Sequence, residues 1–267
     1  MSDARLRARV AEREWYHTIE LAPGIVTPGW FDTRSVARRL PIPPRLTGQR
    51  CLDIGTFDGF WAFEMERRGG EVTAIDILDD RRWDWPANTN REDREAIERR
   101  KGRGDGFLIA REALGARVER ADCSIYDLDP AIHGHFDFVY LGSLLLHLRD
   151  PVLALERVRS VTRGQLLIVD AIALVLTIAA PRSPVLALNG DGRPYWLKPN
   201  LAGLKRMAQA AGWQVVAGPR PLLMPAGGGF HYPSGVWRTL FTRWGREALL
   251  TARLGDPHAA LLLTPGS

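Results

Sequence analysis

A short apolar run, Cys51-Leu-Asp-Ile54, leads directly into Gly55-Thr-Phe-Asp-Gly59, and 23 residues after Asp53 a second run, Val72-Thr-Ala-Ile-Asp76, ends on an acid. No other feature constrains the chain as strongly. The first run reads as a buried parallel strand, the glycines as a tight turn, and Phe60 to Arg67 as a helix that packs back on the sheet. An acid at the tip of the second strand of such a unit is placed to accept hydrogen bonds from both hydroxyls of a nucleoside ribose.

The glycine spacing narrows the choice of nucleoside. A dinucleotide site needs Gly-x-Gly-x-x-Gly to close its backbone on a pyrophosphate. Here the spacing is Gly55-x-x-x-Gly59, with Phe57 at the middle glycine position. The negative charge of Asp53 just before the turn would repel phosphate yet suit the ammonium and sulfonium groups of S-adenosylmethionine. The bland alternative is that Asp53 and Gly55 only shape a strand-to-helix turn.

This motif resembles the first motif of the class I S-adenosylmethionine-dependent methyltransferases, over roughly residues 46 to 217. The resemblance implies an α/β fold with a doubly wound, mostly parallel seven-stranded sheet, Rossmann-like in its winding. It also implies cofactor contacts. The turn residues Gly55, Thr56, Phe57 and Gly59 would meet the methionine portion and Asp53 its amino group. Asp76 would hold the ribose, Ile77 would lie against adenine, and Asp122, Cys123 and Ser124 would read the adenine edge. Leu141 and Gly142, closing the fourth strand, complete the set.

The rest of the chain fits that frame. Residues 2 to 15 suggest an amphipathic leading helix, and the aromatic, Pro-Gly-punctuated stretch from Trp15 to Phe31 predicts short extended pieces across the core, so residues 1–45 form an N-terminal cap. Asp32 opens a short helix through Leu40, and Asp58 is placed to cap the helix that follows it. Residues 78–106, with Trp83, Trp85 and a run of charges, are an insertion that is either a lid beside the nucleoside or a solvated helix. Further strands are expected over 117–121, 136–141, 165–169, 213–217 and 235–242. Helices are expected from Phe107 to Leu114, from Asp150-Pro151 until Gly164, and from Pro199-Asn200 to Gly212. The core then spans 46–245, and 246–267 reads as a C-terminal tail.

Composition excludes little. Net charge is +5, almost wholly from arginine, since the only lysines are Lys101, Lys198 and Lys205. The arginines alternate with acids rather than forming a stripe, which favours solvated faces over a nucleic-acid footprint. Cys51 and Cys123 have no metal-ligand spacing and read as small buried hydrophobes in a reducing compartment. The N-terminal residues lack an apolar signal core, and the run from Leu166 to Ala180 is too short for a bilayer and carries Asp170. A cytoplasmic protein without membrane contact is expected; the oligomeric state is not encoded in any of these features.

A methyltransferase must hold a nucleophile about 3 Å from the cofactor methyl, in line with the departing sulfur. Leu141-Gly-Ser-Leu-Leu-Leu-His-Leu-Arg-Asp-Pro151 resembles the segment after strand four in small-molecule methyltransferases, which makes His147 the candidate base, with packing or substrate contact as its other readings. His17, Trp30, Trp61, Tyr195, Trp196, Asn200, His231 and Tyr232 are candidates for an aromatic acceptor pocket. Gly227-Gly-Gly-Phe-His-Tyr-Pro233 reads as a gating loop or a loose connection.

His17-Thr-Ile-Glu-Leu21, the Asp53–Gly59 turn and Tyr195-Trp-Leu-Lys-Pro-Asn200 resemble the branch that contains the tRNA wobble-uridine carboxymethyltransferases, which use carboxy-S-adenosylmethionine. That branch reads the extra carboxylate with an N-terminal lysine and a tyrosine before the histidine. Here Leu146 precedes His147 and the first hundred residues hold no lysine, so ordinary S-adenosylmethionine is expected. The sequence therefore predicts methyl transfer to oxygen or nitrogen of a small molecule, with tRNA as the alternative acceptor and a non-catalytic nucleoside-binding module as the reading from another class.

Overall fold

The computed structural model describes residues 2–189, 192–230 and 253–266. Seven strands form its main sheet, labelled in chain order β1 (Arg50–Ile54), β2 (Glu71–Asp76), β3 (Glu119–Asp122), β4 (Phe136–Gly142), β5 (Thr162–Ala171), β6 (Trp213–Met224) and β7 (Asp256–Pro265). Their spatial order is β6-β7-β5-β4-β1-β2-β3. Strands β1 to β5 pair in parallel, and β7 inserts antiparallel between β5 and β6. The chain reverses direction across the sheet between β1 and β4, the switch point at which such sheets bind ligands beyond their carboxyl ends.

Burial on both faces explains why β1 reads as an unbroken apolar run. Cys51 points into one core with Met65 and Phe63, while Leu52 and Ile54 point into a second with Val139 and Ile168. Six helices of eight or more residues among the described residues flank the sheet: α1 (Asp3–Ala11), α2 (Phe60–Arg67), α3 (Arg91–Lys101), α4 (Asp105–Leu114), α5 (Pro151–Val161) and α6 (Leu201–Ala210). Helices α1, α2 and α4 feed the first core through Leu6, Phe60 and Phe107; α5 and α6 feed the second through Leu155, Val158 and Leu204. Leu155 is fully buried, so truncating it to Ala would cost about 2–5 kcal/mol.

Local chemistry sets the helix ends. Asp150 accepts the Leu153 N–H at 2.9 Å with Pro151 in the first turn, and Gly69, at φ +93°, follows the end of α2. Three expectations are corrected. Asp58 does not cap α2; its carboxylate accepts the N–H groups of Tyr16 (2.6 Å) and His17 (3.1 Å), tying the N-terminal cap to the glycine turn. Gly164 does not end α5, which passes directly into β5 at Thr162. The tail assigned to 246–267 instead contributes β7, because Ala259 to Leu263 pair with β5 and β6 at once. The strand expected at 235–242 lies outside the described residues. No described helix is long and apolar enough to cross a membrane.

Candidate active site

Backbone geometry builds the first half of the site. Gly55 sits at φ +74°, a conformation that disfavours a side chain, and donates its N–H to Ile75 O at 2.9 Å; a Cβ there would also press on the Leu144 side chain at 3.2 Å. Phe57 is left-handed too, at φ +52°, and its N–H donates to Asp76 Oδ2 at 2.8 Å. The turn after β1 and the acid ending β2 are thus one hydrogen-bonded unit. Asp53 lies beneath it, 1% exposed, with a buried Oδ2 that has no hydrogen-bond partner; burial pushes its carboxyl up to about 7. The Thr56 hydroxyl beside it pulls the other way, favouring the ionised carboxylate.

The insertion reaches into this unit. Helix α3, capped by Asn90, which accepts the Asp93 N–H at 2.8 Å, turns one face to solvent and another, with Asp93, Ala96, Ile97 and Arg100, to the cavity. Its last residue turns inward: Lys101 is buried, its ammonium bonds Asp76 Oδ1, and the rings of Trp83 and Phe57 lie 4.5 and 5.3 Å away. Burial holds the Lys101 ammonium below its ordinary range, against the opposing pull of Asp76. Asp76 Oδ1 also accepts the Ile77 N–H at 2.8 Å. The insertion therefore forms one wall of the cavity, with a solvated outer face.

The turn after β4 closes the other side. Asp170, at the end of β5, accepts the N–H groups of Leu144 and Leu145 at 2.8 Å each. Ser143 adopts φ +50°. His147 lines the same cavity, but its Nδ1 stands 2.5 Å from Pro194 O, and burial pulls its imidazole down to about 4. A carbonyl only accepts, so Nδ1 carries the proton and His147 stays neutral at ordinary pH, a weak base that braces two loops.

These walls enclose one cavity of about 540 Å³. Of the residues singled out for cofactor or proton transfer, Asp53, Gly55, Phe57, Asp76, Ile77, Cys123, Ser124, Gly142 and His147 line it, and so do the acceptor candidates His17, Trp30, Trp61 and Tyr195. Thr56, Gly59 and Leu141 lie behind the lining. Asp122 faces away, bonded to Arg82 (3.0 Å) and the Leu78 N–H (3.2 Å). Asn200 is fully buried as the cap of α6, accepting the Gly203 N–H at 2.7 Å and donating to Ala180 O and Ser183 O, so it cannot touch an acceptor. Trp196 is also structural, its indole N–H donating to Asp84 O. His231 and Tyr232 lie outside the described residues. Gly227 and Gly229 donate to Trp30 O and Gly29 O, which pins the start of the expected gating loop to the cap.

Sequence reasoning missed Tyr16, Phe31, Lys101, Ser143, Asp256 and His258, all in the lining. Two signals were available: Lys101 is one of only three lysines, and Asp256-Pro-His258 directly precedes an apolar run.

The sequence matches the methyltransferase domain family over residues 31–217. The chain belongs to that family. No curated protein matches the methyltransferase. Solved structures resemble it in fold. The Burkholderia thailandensis 1,6-didemethyltoxoflavin-N1-methyltransferase, with its acceptor and S-adenosylhomocysteine bound, is 14% identical, with a TM-score of 0.50 over 83% of this chain and 72% of that one. The N-terminal domain of EvdMO1, with S-adenosylhomocysteine and D-fucose, is 16% identical, with a TM-score of 0.50 over 100% and 98%. A chain of the complex between the Haloferax volcanii Trm112 methyltransferase activator and a methyltransferase is 13% identical, with a TM-score of 0.53 over 99% and 96%.

The residues of this methyltransferase fit S-adenosylmethionine. The unpartnered Asp53 oxygen suits an ammonium group, the Cβ-free Gly55 leaves the turn open to close approach, and Asp76 offers a carboxylate at the ribose position once Lys101 yields it.

Proposed function

We propose that this methyltransferase transfers the methyl of S-adenosylmethionine to oxygen or nitrogen of a small, flat, largely apolar molecule. One observation carries the reading: the donor end of the cavity, at Asp53, Gly55 and Asp76, is continuous with an aromatic end formed by Tyr16, Trp30, Phe31 and Phe230. The volume of about 540 Å³ falls within the range of small-molecule sites. The cofactor supplies an electrophilic methyl on a sulfonium. The chain's own part is to bind the methionine ammonium at Asp53, fix the ribose at Asp76, and stack the acceptor against aromatic faces that exclude water. The 1,6-didemethyltoxoflavin bound in one structural neighbour supports a small acceptor.

A tRNA acceptor would need an open groove of uncommitted cations. Around this cavity Arg82 is paired with Asp122, Arg193 with Asp93 and Lys101 with Asp76, which favours the metabolite. The test is calorimetric binding of S-adenosylhomocysteine, followed by tritiated methyl transfer to hydroxyaromatics, N-heterocycles and tRNA. Failure to bind S-adenosylhomocysteine would end the reading, and transfer to tRNA with steep salt dependence would replace the acceptor.

A further inference from the structure

At the aromatic end of the cavity, Ser143 Oγ stands 2.9 Å from His258 Nε2. On the other side of that ring, His258 Nδ1 lies 3.1 Å from the Asp256 carbonyl oxygen and 3.3 Å from its carboxylate. Both of those oxygens can only accept, so an uncharged imidazole at this position carries its proton on Nδ1 and presents the Nε2 lone pair to Ser143. The Ser143 hydroxyl must then be the donor in the first bond; one of its two lone pairs is taken by the neighbouring Tyr16 hydroxyl, and the other is left to receive a proton from the cavity.

The fold delivers these groups from distant parts of the chain. Strand β7 runs antiparallel, so its first residues arrive at the carboxyl edge of β5, where His258 pairs with Ala171. Ser143 follows β4 in a left-handed conformation that a residue with a side chain rarely adopts, held by its own N–H on Val169 O and by Asp170 on the next two N–H groups. His258 is 1% exposed and Ser143 half-buried, so although both border the cavity Ser143 presents more of its surface to a bound molecule. The arrangement is not that of a hydrolase: the N–H groups after Ser143, which would form an oxyanion hole, are already bonded to Asp170.

We propose that Ser143, backed by His258 and Asp256, takes the proton from an acceptor hydroxyl during methylation. The inference rests on the methyltransferase reading and narrows its substrate class to hydroxyl compounds that keep their proton at neutral pH. As the acceptor oxygen forms its bond to the methyl carbon, the carbon–sulfur bond breaks and its electron pair stays on sulfur. The acceptor proton passes to Ser143 Oγ while the Ser143 proton passes to His258 Nε2. The products are the methyl ether, neutral S-adenosylhomocysteine and an imidazolium facing the Asp256 carboxylate. Ser143 is the contacting group, and His258 acts through it.

Two probes separate this from a structural role: 2-naphthol, which must lose a proton, and 2-naphthalenethiol, which is already largely ionised at neutral pH. With tritiated S-adenosylmethionine and the full chain, Ser143→Ala and His258→Gln are expected to lower kcat on the naphthol about 100-fold and on the thiol less than about threefold. Equal losses on both probes, or none on the naphthol, would overturn the relay. A second measurement needs no acceptor. Nitrogen NMR of histidine-labelled protein is expected to show His258 protonated at Nδ1 and bare at Nε2, with the Nε2 resonance shifted in Ser143→Ala. Protonation at Nε2 would overturn the relay even if neither probe is methylated. Loss of S-adenosylhomocysteine binding in the wild type would instead mark failure of the methyltransferase reading itself.

Discussion

The ammonium of Lys101 occupies the carboxylate of Asp76, the acid that ends β2 and that a nucleoside ribose would need. Two backbone N–H groups, from Phe57 and Ile77, already bond the same carboxylate. A carboxylate has about four acceptor sites, too few for these three donors and two ribose hydroxyls. Cofactor and lysine therefore compete. Lys101→Met is expected to bind S-adenosylhomocysteine about tenfold more tightly while destabilising the free protein by about 3 kcal/mol, because it leaves a buried carboxylate with one donor fewer. Calorimetry and urea unfolding read the two effects; unchanged affinity would show that lysine and ribose do not compete.

Asp53 makes cofactor binding sensitive to pH. Burial pushes its carboxyl up to about 7, whereas a bound ammonium requires it ionised. Affinity for S-adenosylmethionine should fall about tenfold per unit below pH 7, and Asp53→Asn should flatten that dependence and weaken binding at pH 8. In the free protein the sign reverses. A carboxyl raised in the folded state costs stability as pH rises from about 4, its unfolded value, to about 7, so Asp53→Asn should raise Tm at pH 8 and leave it nearly unchanged at pH 4.

His147 should prove to be a brace. Its imidazole, pulled down to about 4 by burial, does not titrate between pH 5.5 and 8, so His147→Gln should leave the shape of the pH–kcat profile intact over that window. A histidine lowered by folding makes the native state lose stability as pH falls from about 6.5 to about 4, and the variant should lose less stability over that interval. Disappearance of a kinetic limb in the variant would restore His147 as the base.

Asn200 should act on folding alone. Asn200→Ala removes the α6 cap and the donors to two carbonyls, at a cost of about 2 kcal/mol or more. The KM for any acceptor found should not change. A raised KM in well-folded variant protein would return Asn200 to the site.

The sequence disclosed the glycine turn and the β2 acid well and the Ser143–His258 side of the cavity poorly, for physical reasons. Cys51 to Gly59 and Asp76 are legible because a two-sided buried strand, a left-handed turn and a terminal acid each demand a particular residue type at a fixed spacing. Strand β7 escaped because Ala259-Ala-Leu-Leu-Leu263 lacks the β-branched residues and turn signals that announce a strand, and only its pairing with β5 and β6 makes it one. Lys101 escaped for the opposite reason: the charge-rich sequence of α3 does not tell its solvent face from the face that Asp93, Ala96, Ile97, Arg100 and Lys101 turn to the cavity. Ser143 and His258 are 115 residues apart, a distance across which periodicity carries no information.

Strand β6 finds its place in the sheet only through β7. Trp213–Met224 therefore precedes by more than thirty residues the segment that joins it to the sheet, and the imidazole beside Ser143 belongs to that same segment. Sheet closure and the completed acceptor pocket thus become a single late event in the life of the nascent chain, and a polypeptide released before Asp256–Pro265 would hold a nucleoside cleft with one wall missing.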